Sequence, residues 1–329
     1  MVFVIRVGNP RNIGYAVKLL VSVALIWWVF NHNLFNFSSI RDGLLNVRLA
    51  TVFFVLTFMQ LLLSAARNHL LVTLSEIDAM SLRANLSISW ASSFLGCLLP
   101  TAIFGELFKV RELMNFNVNY PKDNSLYASF LSKLFSLYSL FLVSYFTIFF
   151  VENMPKQVGA YAMLLHGIAF ISVLSFWGGG KYFQSIKSKI PQNDGLQRSR
   201  FIDERVGCVI EYLSSIQKKK LVFFYSFAIS VLIQLLNIIS FVLIIYTINP
   251  QVDIPAVDLF CVVPVGILAM VLPVSLSGLG VGHVAFAKIL EIFGISNGAD
   301  VFTIFFAYSY VFNAVGVLFF LKFLKWGKR

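Results

Sequence analysis

Four ionisable residues lie close together in an otherwise apolar region of the chain: Glu106, Lys109, Arg111 and Glu112. On a helix, Glu106 and Lys109 are three positions apart and share a face, so each can neutralise the other. An ionisable side chain at membrane depth is costly and marks a functional site unless it is paired or snorkels to the surface. Glu106 and Lys109 therefore read as cavity-lining residues, with a structural ion pair at the interface as the alternative. Arg111 and Glu112 lie further out, between site and interface. Lys133 stands about two turns into the next apolar run, where snorkelling and phosphate binding fit equally. Arg67 closes an earlier run, either as a ligand for an anionic headgroup or as an interface anchor. His283 reads as a neutral hydrogen-bonded residue, with proton coupling as the alternative. Glu106 is the one deep carboxylate available as a base, with Lys109 or Arg111 beside it. One carboxylate does not make a catalytic constellation, so no enzyme is expected.

The stretch that carries Glu106 also contains Pro100 and Gly105, in the spacing Leu-Pro-x4-Gly. The same spacing returns 173 positions later at Leu272, Pro273 and Gly278, followed by Gly280, Gly282 and His283, with Ser275 inside it. Proline removes a backbone donor and glycine permits sharp turns and close approach. A non-helical turn at membrane depth leaves backbone groups without partners, so it must be buried or line a wet cavity. The helix that restarts after it aims a positive N-terminal end inward. Two such ends converging near mid-depth would attract an anionic group.

Composition sets the environment for these turns. With 58% hydrophobic residues, only 12% charged and a mean hydropathy of +0.82, a chain of 329 residues has too little polar surface for a soluble globule. It reads as a polytopic membrane protein. The net charge of +11 reports Lys and Arg held on the cytoplasmic side rather than nucleic-acid binding. Cys97, Cys208 and Cys261 are far apart and odd in number, and no metal-ligand spacing is present, so neither a disulfide framework, a metal nor a cofactor is expected. The first apolar run ends in Trp27-Trp28-Val29-Phe30 instead of small residues, as an uncleaved span does.

Spans are expected over 13–30, 49–66, 126–151, 158–177 and 221–248, with a sixth near the C-terminus. Residues 181–220 carry nine Lys or Arg against four acids, a net of +5 that puts this loop in the cytoplasm. Within it Ile202, Val206, Val209, Ile210, Leu213 and Ile216 recur at helical spacing, as in an amphipathic surface helix. If every apolar segment crossed fully, the basic residues at both termini would fall outside. If 84–116 and 256–295 each enter and leave on one side, both termini fall in the cytoplasm. Those are the two segments with the Leu-Pro-x4-Gly spacing. The expected fold is thus an all-α polytopic membrane protein with six full transmembrane helices and two re-entrant helical hairpins in an inverted-topology repeat. Residues 1–177 hold the first repeat and the first span of the second (158–177), 178–220 the basic loop, and 221–329 the remainder.

The run Leu-Pro-x4-Gly-Glu-x2-Lys at Leu99 to Lys109, the run Pro-x-Ser-x2-Gly-x-Gly-Val at Pro273 to Val281, and Arg67 after the second span resemble the transmembrane region of the lysylphosphatidylglycerol synthase family, also described as flippase-like membrane proteins. The resemblance covers nearly the whole chain. It stops at Arg329 without a soluble catalytic domain, so lipid synthesis is not expected. Where the family often has a basic and an acidic residue after the second motif, this chain has Gly282 and His283.

The resemblance implies a translocator of a phospholipid or lipid-linked anionic headgroup in the cytoplasmic membrane of a prokaryote. Its expected headgroup ligands are Arg67, Pro100, Gly105, Glu106, Lys109, Arg111, Lys133, Pro273, Ser275, Gly278, Gly280 and His283. The expected partners are membrane lipid and a cell-envelope biosynthetic protein. The alternatives are an enzyme acting on a lipid-linked sugar or phosphate, and a solute transporter or partner subunit of an envelope assembly.

The topology has a direct check. Cysteines introduced singly at Arg83 and Asn117 in a cysteine-free background are expected to react with an impermeant maleimide only from the cytoplasm, and those at Asp253 and Asn297 only from outside. A position labelled from the opposite face ends the two-hairpin topology.

Overall fold

Long runs of Phe, Leu, Ile and Val can satisfy their backbone N–H and C=O groups in lipid only by folding into helices or closed barrels. The computed structural model describes residues 10–32, 34–73, 81–98, 103–116, 122–150, 167, 219–271, 275 and 278–326, and among these the regular structure is helical throughout. Pro100, Pro273, the expected span at 158–177 apart from residue 167, and the basic loop up to residue 218 lie outside the described residues.

In chain order the helices are α1 (Pro10–Asn31), α2 (Phe37–Leu45), α3 (Val47–Thr73), α4 (Leu82–Leu98), α5 (Ile103–Phe116), α6 (Lys122–Ile148), α7 (Lys220–Ile248), α8 (Ala256–Val271), α9 (Val281–Glu291), α10 (Gly298–Ala314) and α11 (Val317–Trp326). Polar caps mark the short connections. The Asn36 side chain accepts from the Ser38 and Ser39 N–H groups at the start of α2, and Asn46 Oδ1 accepts from Leu49 N–H at the start of α3. Among the described residues, four helical segments are long and apolar enough to cross a bilayer: Val47–Val72, Leu126–Thr147, Lys220–Ile248 and Gly298–Leu324, the last running through α10 and α11. Val17–Asn31 and Ala256–Met270 are apolar but shorter.

Helices α4, α5, α8 and α9 have 17, 14, 16 and 11 residues, each below the ~20 needed to cross alone. They pack as two pairs, α4 with α5 and α8 with α9. Glycine lets each pair close. The side-chain space of Gly105 is taken by the backbone carbonyl of Ser92, whose hydroxyl donates back to Gly105 O at 2.8 Å. Between α8 and α9, a Cβ on Gly266 would lie 2.8 Å from the Phe286 ring.

The inter-helix contacts fall into matching sets when α3, α4, α5 and α6 are exchanged with α7, α8, α9 and α10. Helix α4 meets α10 as α8 meets α6, α3 meets α6 as α7 meets α10, and α6 meets α7 as α10 meets α3. The contact between α3 and α7 corresponds to itself and is the most extensive among the described helices.

Apolar packing is unevenly shared. The main core joins Phe53 of α3, Leu140 of α6, Ile238 and Phe241 of α7, Val263 of α8, Phe286 of α9 and Phe302 of α10. Phe241 stacks between Phe286 and Phe305, with ring centroids 4.4 and 3.9 Å away. A smaller cluster joins Leu71 with Tyr127, Leu131 and Phe135 of α6. Buried polar residues on α3, α4, α5, α6 and α7 include Arg67, Asn68, Asn85, Ser89, Lys109, Ser132 and Ser230.

Because a backbone carbonyl occupies the Cβ position of Gly105, the substitution Gly105→Val must force α5 away from α4. Overpacking of this kind costs about 1–3 kcal/mol. The variant is expected to unfold at lower temperature in detergent; an unchanged Tm would mean that the pair is not held this closely.

Candidate functional site

Arg67 lies near the end of α3 and is only 5% exposed. A guanidinium this deep needs acceptors, and two neighbouring helices provide them. Its Nη1 donates to Ser136 Oγ of α6 and to Ser230 Oγ of α7, both at 2.8 Å. Asn68, the next residue, accepts from Ser132 Oγ at 2.9 Å. Gln234, one turn beyond Ser230, donates to Ser136 O at 3.0 Å. Ser129, Ser132, Ser136 and Ser139 are spaced three and four apart, a polar stripe along α6.

The α4–α5 pair adds the acidic group. Glu106 Oε1 receives Lys133 Nζ of α6 at 2.9 Å, and Glu106 Oε2 lies 3.7 Å from Lys109 Nζ. Lys109 is 5% exposed, whereas the side chain of Lys133 is 61% exposed and reaches the carboxylate from the rim. The Glu106 carboxylate feels the charges of Lys109, Lys133 and Arg67 together. Three cations around one carboxylate leave a formal charge of +2 (3 − 1) in a cluster enclosed by α3, α5, α6 and α7.

Buried polar atoms are almost always hydrogen-bonded in folded proteins. Around this cluster many are not: among the described residues, Arg67 Nε, Asn68 Nδ2, Glu106 Oε2 and Gln234 Oε1 have no hydrogen-bond partner. Both side-chain polar atoms of Asn85 and the Ser89 hydroxyl are in the same state. Asn85 and Ser89 precede Ser92 by seven and three positions, so they lie on the face of α4 whose Ser92 meets Gly105 of α5. Both donors and acceptors are left open, as in a site that receives a polar occupant.

The other expected site residues lie elsewhere. Arg111 is exposed and sits 4.0 Å from Glu112. Ser275, Gly278, Gly280 and His283 form a second group at the turn from α8 to α9. Gly278 and Gly280 adopt φ of +83° and +82°, a region that favours glycine. A Cβ on Gly280 would lie 2.9 Å from Ser22 O of α1. His283 Nδ1 accepts the Gly280 N–H at 3.3 Å, and its ring meets Phe35 and Phe302 edge-on. Among the described residues of this turn, Ser275 Oγ is a buried hydroxyl without a hydrogen-bond partner. Nearby, the Asp300 carboxylate at the start of α10 takes the Asn36 N–H at 3.0 Å. Among the described residues no three His, Cys, Asp or Glu side chains gather as metal ligands do.

The residues missed by sequence reasoning are Asn68, Asn85, Ser89, Ser132, Ser136 and Ser230. Their signal is the three- and four-residue spacing of polar residues in apolar runs, visible along α4 and α6 and, through Ser226 and Ser230, along α7.

A family model for the lysylphosphatidylglycerol synthase TM region matches residues 15–316, from the body of α1 to the turn between α10 and α11. The chain belongs to the lysylphosphatidylglycerol synthase TM region family. No curated protein and no solved structure matches it. Membership makes this an integral membrane protein of a lipid-related family. The match in this lysylphosphatidylglycerol synthase TM region member spans Gly105, Gly278, Gly280 and all four charges of the cluster.

Removing the Ser230 hydroxyl leaves a buried guanidinium donor without its acceptor, a loss of about 1–3 kcal/mol. Ser230→Ala is expected to lower unfolding stability in mixed micelles by that amount. Ser87→Ala, whose hydroxyl bonds only its own helix at Arg83 O, is expected to stay within about 0.5 kcal/mol. Equal effects of the two substitutions would remove Ser230 from the support of Arg67.

Proposed function

We propose that this protein translocates a lipid with an anionic headgroup, which binds at the Arg67–Glu106–Lys109–Lys133 cluster while its tails stay in the bilayer. The observation that carries the reading is the surplus of cations over carboxylate among transmembrane helices, edged by polar atoms that lack partners. Burying an uncompensated charge is expensive, and a group of opposite charge offsets that cost. The enzyme reading gains nothing from this geometry, because a carboxylate held between two lysines is a weak base.

The proposal includes the architecture. Six spans and two re-entrant hairpins, α4–α5 and α8–α9, form an inverted repeat in which one half rocks against the other. Support comes from the short arms of both pairs, the glycines Gly278 and Gly280 at the turn from α8 to α9, and the matching contact sets of the two halves. The chain would sit in the cytoplasmic membrane of a prokaryote with both termini inside, an orientation that rests on the distribution of Lys and Arg. A cell-envelope biosynthetic partner would supply or consume the lipid.

Purified protein in liposomes containing a trace of fluorescent anionic phospholipid is expected to make the inner-leaflet label accessible to a membrane-impermeant quencher. Arg67→Lys, which loses the planar fork, and Lys109→Met should each slow exchange at least about tenfold, the effect of ~1.4 kcal/mol. Exchange at the protein-free rate, beside an active control flippase, would overturn the proposal.

A further inference from the structure

We infer that the headgroup taken by the cluster carries two negative charges, as in a lipid ending in a phosphate monoester. This step rests on the translocator reading and narrows its substrate class. Arg67 and Lys109 are buried, Lys133 reaches in from the rim, and Glu106 is the only acid ion-paired with these lysines among the described residues. A phosphodiester, with one negative charge, would leave one cation uncompensated in a low-dielectric setting. A terminal phosphate in its doubly charged form brings the cluster to neutrality.

Hydrogen bonding points the same way. A terminal phosphate has three unesterified oxygens, all acceptors, and a phosphodiester has two. Arg67 Nε and Asn68 Nδ2 are open donors, and Lys109 Nζ, at 3.7 Å from Glu106 Oε2, is beyond hydrogen-bond range of its nearest carboxylate. Glu106 sets the charge count. By pairing with Lys133 it holds the cluster at +2 instead of +3, so that a dianion is neutralised without being trapped.

The test is a charge ladder. Wild type (+2), Glu106→Gln (+3) and Lys133→Gln (+1) are placed in nanodiscs of neutral lipid. A fluorescent short-chain phosphatidate is then competed with unlabelled phosphatidate, with phosphatidylglycerol or with glycerol phosphate. Lys133 is the most exposed member of the cluster, which makes its substitution the one best tolerated by the fold.

At pH 7.5 wild type is expected to prefer phosphatidate over phosphatidylglycerol at least about tenfold, the preference widening in Glu106→Gln and narrowing in Lys133→Gln. At pH 5.5, below the second phosphate ionisation at about 6, the wild-type preference should shrink. Equal binding of the two lipids, or one preference shared by all three proteins, would overturn the inference. Glycerol phosphate competing as well as phosphatidate would support the dianion and overturn the lipid reading. Leaflet exchange of phosphatidylglycerol without phosphatidate preference would do the reverse, so the two failures are distinct.

Discussion

A charged group enclosed by apolar helices must find acceptors, donors or counter-charges within reach, and here the group is the guanidinium of Arg67. Much of the surrounding arrangement can be traced to that demand. Helices α6 and α7 each present a serine to Nη1 at 2.8 Å. The α4–α5 pair delivers Glu106, whose carboxylate is shared with Lys109 and Lys133. Each of those cations would be costly alone. Held together, they form a charged interior whose residual surplus faces open hydrogen-bonding atoms.

The fold separates this polar region from its apolar support. Phe241, Phe286, Phe302 and their neighbours fill the space between α7, α8, α9 and α10 with stacked rings. Interiors packed in this way resist deformation. At the turn from α8 to α9, Gly280 lets α9 approach Ser22 of α1, and the His283 ring is held by a backbone N–H and two aromatic edges.

Several of these features were legible in the chain. Ionisable residues inside apolar runs single themselves out, so Arg67, Glu106, Lys109 and Lys133 are conspicuous by type alone, and the pairing of Glu106 with Lys109 follows from helical spacing. The pairing of Glu106 with Lys133 does not, because 27 positions and a helix connection separate them. For Lys133, snorkelling and ligand binding predict the same sequence. Arg67 is ambiguous for a similar reason: a basic residue at the end of a span usually marks the interface, and only the serines of two other helices distinguish a buried guanidinium from an anchored one. Those serines were overlooked because hydroxyls in membrane helices commonly bond their own backbone, as Ser230 also does with Ser226 O. At the second turn, a side chain on Gly282 would run into Phe302.

One consequence follows from the sharing of a single Arg67 nitrogen between Ser136 and Ser230. The two serines belong to α6 and α7, and α3 and α7 occupy equivalent places in the two sets of helix contacts. Sliding α7 along α3 would therefore strip the guanidinium of one acceptor in a place where water is scarce. On the translocator reading proposed above, an oxyanion seated beside Arg67 would supply a replacement oxygen at the moment of separation, making cargo a lubricant of the helix interface as well as its passenger.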